Sequence, residues 1–438
     1  MEHNLNDLLR RAQKVLDLNW TGEYTRPAPR LYPHQWSWDS AFIAIGNIHH
    51  RQDRAEQELL SLFRGQWHNG MLPHIVFHNP HAPYFPGAEI WHCHVSPHAP
   101  RDLETSGIVQ PPIHATAAWW IYLHAQDQTQ AKSFLAEMFP KLKAWHDYLY
   151  RERDPHHEAL VYIRHPWESG MDDSPLWDAV LHSLPLDLTK FSASHRLDIR
   201  IVDPKDRPTH RDYTHYLDLV HLFRSLDYDE EKIQKASPFL VQDALFNTLL
   251  SQSEQDLAQI TSVLGKDGRP FQARSRATAD AVNQKLWDAE HGLYIDFDLV
   301  RNQTLEKHTA AGFTPMFAGI PPKERADQML EYLNSKAFCP IHGTCYAVPT
   351  YDKKSSGFSS RQYWRGPIWL NINWILYHGL RRYGFHDYAQ WVRQAIIDLP
   401  KTYGFYEYYD PDEGAGHGTE DFSWTASLLV DVLSETSP

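Results

Sequence analysis

Leu142-Lys-Ala-Trp-His-Asp-Tyr-Leu149 sets Leu142, Trp145 and Leu149 three and four residues apart, the spacing that lines one face of an α-helix. Tyr216, Val220 and Phe223 repeat it. The same periodicity predicts helices near 4–17, 38–49, 52–67, 113–126, 230–250, 274–287, 323–334, 365–383, 387–398 and 422–434. Short β-favouring runs lie between them, at Ala159–Ile163, Leu293–Phe297 and Phe405–Tyr409. They follow helices rather than alternating with them, which disfavours a parallel sheet. An all-α fold is expected, a closed array of helix pairs with short β-hairpins and long functional loops at one end.

No Ser/Gly-rich linker or compositional shift divides the chain, so residues 1–438 read as a single domain. The least regular stretch, 70–112, contains eight prolines among His and aromatic residues. A loop of that length, set between two helices and carrying Tyr84, Phe85 and Trp91, reads as a lid over a site.

The 42 basic and 55 acidic side chains give a net charge of -13, which speaks against nucleic acid or an anionic membrane as partner. Cys93, Cys339 and Cys345 are too few and scattered for a disulfide framework, and none sits in a zinc-knuckle spacing. A reducing compartment is favoured. The start, Met1-Glu-His-Asn-Leu-Asn-Asp-Leu-Leu9, lacks the basic and apolar regions of a secretion signal. Nor does any stretch of about 20 apolar residues suggest a membrane span. These readings make the protein cytoplasmic, with homo-oligomerisation left open.

Aromatic residues make up 13% of the chain. A helical core absorbs many of them, but some gather beside isolated acids. Pro166-Trp-Glu-Ser-Gly-Met-Asp-Asp-Ser-Pro175 runs from a β-like stretch into Gly170 and two adjacent acids. Gly170 permits a tight turn that presents a carboxyl to a cleft, and Trp167 supplies an apolar wall that raises its pKa. Capping of the next helix by Asp172, Asp173 or Ser174 is the alternative. In Tyr403-Gly-Phe-Tyr-Glu-Tyr-Tyr409, Glu407 alternates with rings, so its side chain falls on the face opposite Tyr406 and Tyr408. Gly414, Gly416 and Gly418 would let the chain turn closely around an occupant of the cleft. Asp39 opens a helix among Tyr32, Trp36 and Trp38, and Tyr363, Trp364 and Trp369 form a similar set, with Pro367 in a first helical turn. Rings beside isolated acids suit a carbohydrate, whose C–H faces stack while its hydroxyls need polar partners. Glycoside cleavage asks for two carboxyls in different environments.

Tyr32-Pro-His-Gln-Trp-Ser-Trp-Asp39, Trp167-Glu-Ser-Gly-Met-Asp172, Tyr363-Trp-Arg-Gly-Pro-Ile-Trp369 and Phe405-Tyr-Glu407 resemble family 63 of the glycoside hydrolases. Supporting stretches are Gly65–Val76, Ser106–Ala115 and Phe422–Ala426, so the resemblance spans nearly the whole chain. It implies an (α/α)6 barrel and an inverting mechanism, with Asp172 as general acid and Glu407 as general base. It maps Tyr32, Asp39, Trp36, Trp38, Gln110, Trp167, Gly170, Tyr363, Trp364 and Trp369 to the sugar pocket and Tyr84 to a loop that closes over it. In size the chain is similar to the short bacterial mannosylglycerate and glucosylglycerate hydrolases, which makes a small α-glycoside of glycerate, a compatible solute, the expected substrate. Arg207 and Tyr213 would then meet the glycerate carboxylate. Glu420 and Asp421 would repel that carboxylate if they faced it, which keeps glucosylglycerol and short α-glucosides as alternatives.

No cofactor is called for. His92, Cys93, His94 and His98 are metal-ligand types close in sequence, but neighbouring residues on extended chain point opposite ways and their spacing fits no standard zinc framework. The functions from other classes are a sugar epimerase or lyase, which would consume no water, and a sugar-binding protein without working acids.

Overall fold

The computed structural model describes residues 2–341 and 343–435; the ends of the expected 1–438 domain, including Met1, lie outside them. Five α-helices and one 3₁₀ segment close a ring by successive packing. In ring order they are Ser423–Ser434, Ser37–Asn47, His114–His124, Ala244–Val263, the 3₁₀ segment Ala310–Met316, and Leu370–Arg382, which returns to the first. Six helices back this ring from outside: Glu2–Asn19, Gln52–Leu62, Gln128–Glu152, Arg269–Lys285, Lys323–Leu333 and His386–Tyr403. The fold is an (α/α)6 barrel.

Hydrophobic patterning explains which helix went where. Ser37–Asn47 is buried along its whole length and Ser423–Ser434 nearly so, as expected of helices apolar on all sides. Outer helices carry one apolar stripe, such as Leu8, Ala12, Val15 and Leu16 on Glu2–Asn19. Small residues bring the inner helices close. A Cβ on Gly46 would stand 2.2 Å from the Ser427 backbone oxygen, and Ser427 Oγ instead accepts the Gly46 N–H and donates to the Phe42 carbonyl.

Several expected boundaries move. The helix expected at 230–250 is two, Glu230–Ala236 and Ala244–Val263. Pro238 cannot sit in a helix interior, and Asp243 starts the second by accepting the Phe246 N–H. The helix expected at 365–383 begins only at Leu370, so Pro367 is not in its first turn. Ile368 instead makes an antiparallel bridge with Tyr409. Ala159–Ile163 forms a single bridge, Ile163 to Val241, rather than a strand. In Phe405–Tyr409 only Tyr408–Tyr409 is strand, paired with Gly416–His417. Every described strand pairing is antiparallel.

The 70–112 stretch is irregular but not structureless. Ile75–Phe77 is the middle strand between Gln35–Trp36 and Glu104–Thr105, and Ala88–Trp91 is a helical turn. Cys339 and Cys345, six residues apart, are joined as a disulfide, a pairing that the reading of three cysteines as too few and scattered for a disulfide framework did not anticipate. No described helix is long and apolar enough to cross a membrane.

Candidate active site

Segments that lead into the inner helices converge on one pocket. Trp38 and Asp39 lie in the first turn of Ser37–Asn47, Gln110 precedes His114–His124, Trp369 is the N-cap of Leu370–Arg382, and Phe422 is the N-cap of Ser423–Ser434. The pocket therefore sits at N-terminal helix ends, where free N–H groups favour negative charge. Asp39 is inside its helix and not at the cap, which is Trp36. Gln110 Oε1 accepts the Trp38 backbone N–H at 3.1 Å and locks two of these segments together.

The 166–175 segment is held from below. Glu168 is fully buried, accepts from both terminal guanidinium nitrogens of Arg153 at 3.0 and 3.1 Å, and accepts the backbone N–H groups of Val109 and Arg164. Burial pushes its pKa up, but the two arginines overcome this and hold the carboxyl below its ordinary range. From this anchor the chain turns through Gly170 at φ +73°, where a Cβ would stand 2.5 Å from the Trp38 ring. Gly170→Ala is thus expected to cost about 1–3 kcal/mol of stability from left-handed strain and ring displacement. Denaturant titration checks this; a loss under half a kcal/mol would show that Trp38 moves freely.

The two adjacent acids end in different surroundings. Asp173 is buried against Arg365, which also grips Asp178 at 2.6 Å. Asp172 faces the pocket, where its Oδ2 is 3.4 Å from the Tyr363 hydroxyl. Burial pushes Asp172 up to about 7, against the opposing pull of Arg207. Helix capping falls to Ser174, whose hydroxyl accepts the Leu176 N–H.

Glu407 is 1% exposed. Tyr32 donates its hydroxyl to Oε1 at 2.7 Å, the Thr419 N–H donates to Oε2 at 3.3 Å, and an Arg207 nitrogen stands 3.5 Å from Oε1. Burial raises its pKa, and Arg207 and Tyr32 counter this by favouring the ionised form. Gly418 gives this acid room, because a Cβ there would meet Glu407 Oε2 at 2.3 Å. Gly414 and Gly416 make room for Tyr346, Tyr403 and Tyr406, so the glycine series accommodates protein side chains, not a ligand as expected. Asp39, 5% exposed, is also held well above the carboxylate range, first by burial and then by Glu407, Asp172 and Glu58.

Every residue given a catalytic or substrate-binding role from sequence lines this pocket, from Tyr32, Trp36 and Trp38 to Arg207, Tyr213 and Glu407. Trp364 and Trp369 stack at 3.7 Å, and Trp36 meets Tyr84 edge-on at 5.0 Å. Tyr84 belongs to the 70–112 stretch, which is pinned where Tyr213 donates to the Phe85 carbonyl. Pro27 and Pro208 also line the pocket, as do His74, Phe422 and Trp424, none of them expected from sequence. The signal for His74, Phe422 and Trp424 lay in the motifs 65–76 and 422–426. Glu420 bonds the Tyr406 hydroxyl and, like Asp421, is exposed and outside the lining. Their objection to an anionic leaving group therefore lapses.

Of the loop histidines, His92 and His98 are exposed while Cys93 is buried beside Tyr228 and Thr105, so this set does not converge.

The family model for the mannosylglycerate hydrolase MGH1-like glycoside hydrolase domain matches residues 32–425. The chain is 52% identical to the mannosylglycerate hydrolase of Rubrobacter radiotolerans over 98% of both chains. It is 35% identical to the glucosylglycerate hydrolase of Mycolicibacterium hassiacum over 97% of both. The crystal structure of the GH63 mannosylglycerate hydrolase from Thermus thermophilus with Tris and D-glycerate superposes with a TM-score of 0.90 at 41% identity, covering 97% of this chain and 99% of that one.

Proposed function

Because the chain belongs to the mannosylglycerate hydrolase MGH1-like glycoside hydrolases, of family 63, we propose that it hydrolyses an α-glycoside of glycerate with inversion at the anomeric carbon. Mannosylglycerate is the first substrate and glucosylglycerate the second, in the order of identity to the relatives that carry those names.

One observation carries this reading: Asp172 and Glu407 line the same ringed pocket, both raised by burial and opposed by Arg207, but with Glu407 held by the closer hydrogen-bond donors. Asp172, lifted to about 7 by burial, holds a proton near neutral pH and donates it to the glycosidic oxygen as the C–O bond breaks. Glu407, raised by burial but drawn back towards its ionised form by Arg207 and the Tyr32 hydroxyl, takes a proton from water as the water oxygen bonds to the anomeric carbon. The products are the free sugar with inverted configuration and glycerate. The tryptophans of the pocket stack on the sugar, and buried Asp39 accepts its hydroxyls. Arg207 Nη1, buried and 3.5 Å from Glu407 Oε1 without a hydrogen bond to it, keeps N–H to offer the glycerate carboxylate, and Tyr213 lines the same pocket.

Incubation with mannosylglycerate, glucosylglycerate, glucosylglycerol and α-disaccharides, with the first-formed anomer read by NMR, tests this. The β-anomer is expected first, with kcat/KM for the glycerate glycosides at least ten-fold above that for glucosylglycerol. First release of the α-anomer would remove the inverting mechanism, and equal rates on both aglycones would remove the glycerate assignment.

A further inference from the structure

We propose that Asp288, His291 and His308 form a binding site for a divalent transition-metal cation of the zinc type, away from the hydrolytic pocket. None of the three lines that pocket. Asp288 and His291 sit on the hairpin that pairs Trp287–Asp288 with Leu293–Tyr294. His308 comes from the segment just before the inner 3₁₀ element Ala310–Met316. One ligand atom from each lies within 4.8 Å of the others. Two imidazoles and a carboxylate are a donor set suited to zinc and its neighbours.

The spacing fits a small ion. Asp288 Oδ2 is 2.7 Å from His291 Nδ1 and 3.8 Å from His308 Nε2. Ligand atoms about 2.0–2.2 Å from a tetrahedral zinc stand roughly 3.4 Å apart, so a metal would replace the His291 Nδ1–H hydrogen bond to Asp288, releasing that proton and opening this pair while drawing His308 closer. Three protein ligands leave a fourth position for water, and His291, 43% exposed, keeps the site open to solvent.

The hydrogen bonds behind the site prepare it for a cation. Tyr332 donates its hydroxyl to Asp352 Oδ2 at 3.1 Å, and its oxygen stands 2.8 Å from His308 Nδ1. With the tyrosine proton given to a carboxylate, neutral His308 donates Nδ1–H to the tyrosine oxygen. Its Nε2 lone pair is then turned towards Asp288. A bare nitrogen facing a carboxylate oxygen, with no hydrogen between them, is a contact that a cation relieves. An acceptor that takes the other ring N–H of a histidine ligand, and so fixes its tautomer, is the usual support of a metal site, and here the Tyr332 oxygen fills that place. Asp288 is itself oriented, because its Oδ1 accepts the N–H groups of Glu290 and His291. Bound metal would tie the hairpin to the inner ring and, through Tyr332, to the outer helix Lys323–Leu333.

Chelator-treated full-length protein titrated with zinc by calorimetry tests the proposal, with cobalt uptake followed by its visible absorption as a geometric probe. Saturable uptake of one zinc per chain is expected, with a higher melting temperature and tetrahedral cobalt bands. His291→Gln and His308→Gln should each weaken binding at least ten-fold and abolish the cobalt bands. Circular dichroism and sugar release by the two variants, unchanged from the parent, will show that they remain folded. No saturable uptake by the parent protein, or stoichiometric uptake that survives the double substitution, would overturn the assignment and place any zinc on other surface histidines.

Discussion

Asp172→Asn is expected to lower kcat by about 10²–10⁴-fold, the usual range for a lost general acid, while substrate binding stays within a few-fold. Asparagine preserves size but has no proton to give the glycosidic oxygen. The pH profile of the parent should show the same group. An acid must be protonated to work, so activity falls on the alkaline side as pH rises through about 7, where burial has placed Asp172. In the variant any residual activity loses that limb. Stability should move the other way. An unfolded-state Asp titrates near ~3.9, below the folded value, so the folded chain holds this proton more tightly. Ionisation therefore costs folding free energy, which grows as pH rises from about 4 to about 7 and is constant above. Because the carboxyl faces the pocket, solvent limits this cost to at most a few kcal/mol. Asp172→Asn, carrying no such charge, should be more stable than the parent at pH 8 and nearly equal to it at pH 4. Steady-state kinetics and urea unfolding at both pH values check the pair of effects. Substantial turnover by the variant would take the acid's role away from Asp172.

The same residue marks how far the sequence could be read. Gly170 followed by two acids was legible as a turn that offers a carboxyl, but Asp172 and Asp173 are neighbours of identical chemistry. Their difference comes from Arg365, 192 positions further on, and no local pattern announces that contact. Helices with strong periodicity, such as Gln128–Glu152, were readable because one stripe of side chains records the core. The inner segment Ala310–Met316 was not. With Gly312 and Pro315 in seven residues it has no helical pattern, and its place in the ring is set by the neighbours that bury it. The glycines after Tyr409 show the same limit, because local sequence revealed that close contacts were coming but not that Tyr346, Tyr406 and Glu407 would make them.

Arg207 is where the remaining contacts meet, and Arg207→Met should reduce kcat/KM on glycerate glycosides by about 10²–10⁴-fold. Its guanidinium lies 4.1 Å from the centre of the Tyr363 ring, donates to the Tyr32 hydroxyl at 3.1 Å and to Asp198 at 3.3 Å, and stands 3.5 Å from Glu407. Methionine keeps much of the side-chain volume but removes the positive charge from among buried acids. Truncating one member of a buried charge set typically costs about 3–5 kcal/mol, because the others are left uncompensated. Two signatures separate this from general damage to the fold. Arg207 is the largest influence holding Glu407 down against burial, so without it the pKa of Glu407 rises further. A base must be ionised to work, so the acidic limb of the pH profile should move to higher pH. If Arg207 also meets the glycerate carboxylate, the preference for glucosylglycerate over glucosylglycerol should collapse towards unity, whereas loss of the base's support alone would slow both substrates equally. Kinetics on the two substrates across pH distinguish these cases. An unmoved acidic limb with unchanged aglycone preference would show that Arg207 only fills space between Tyr32 and Tyr363.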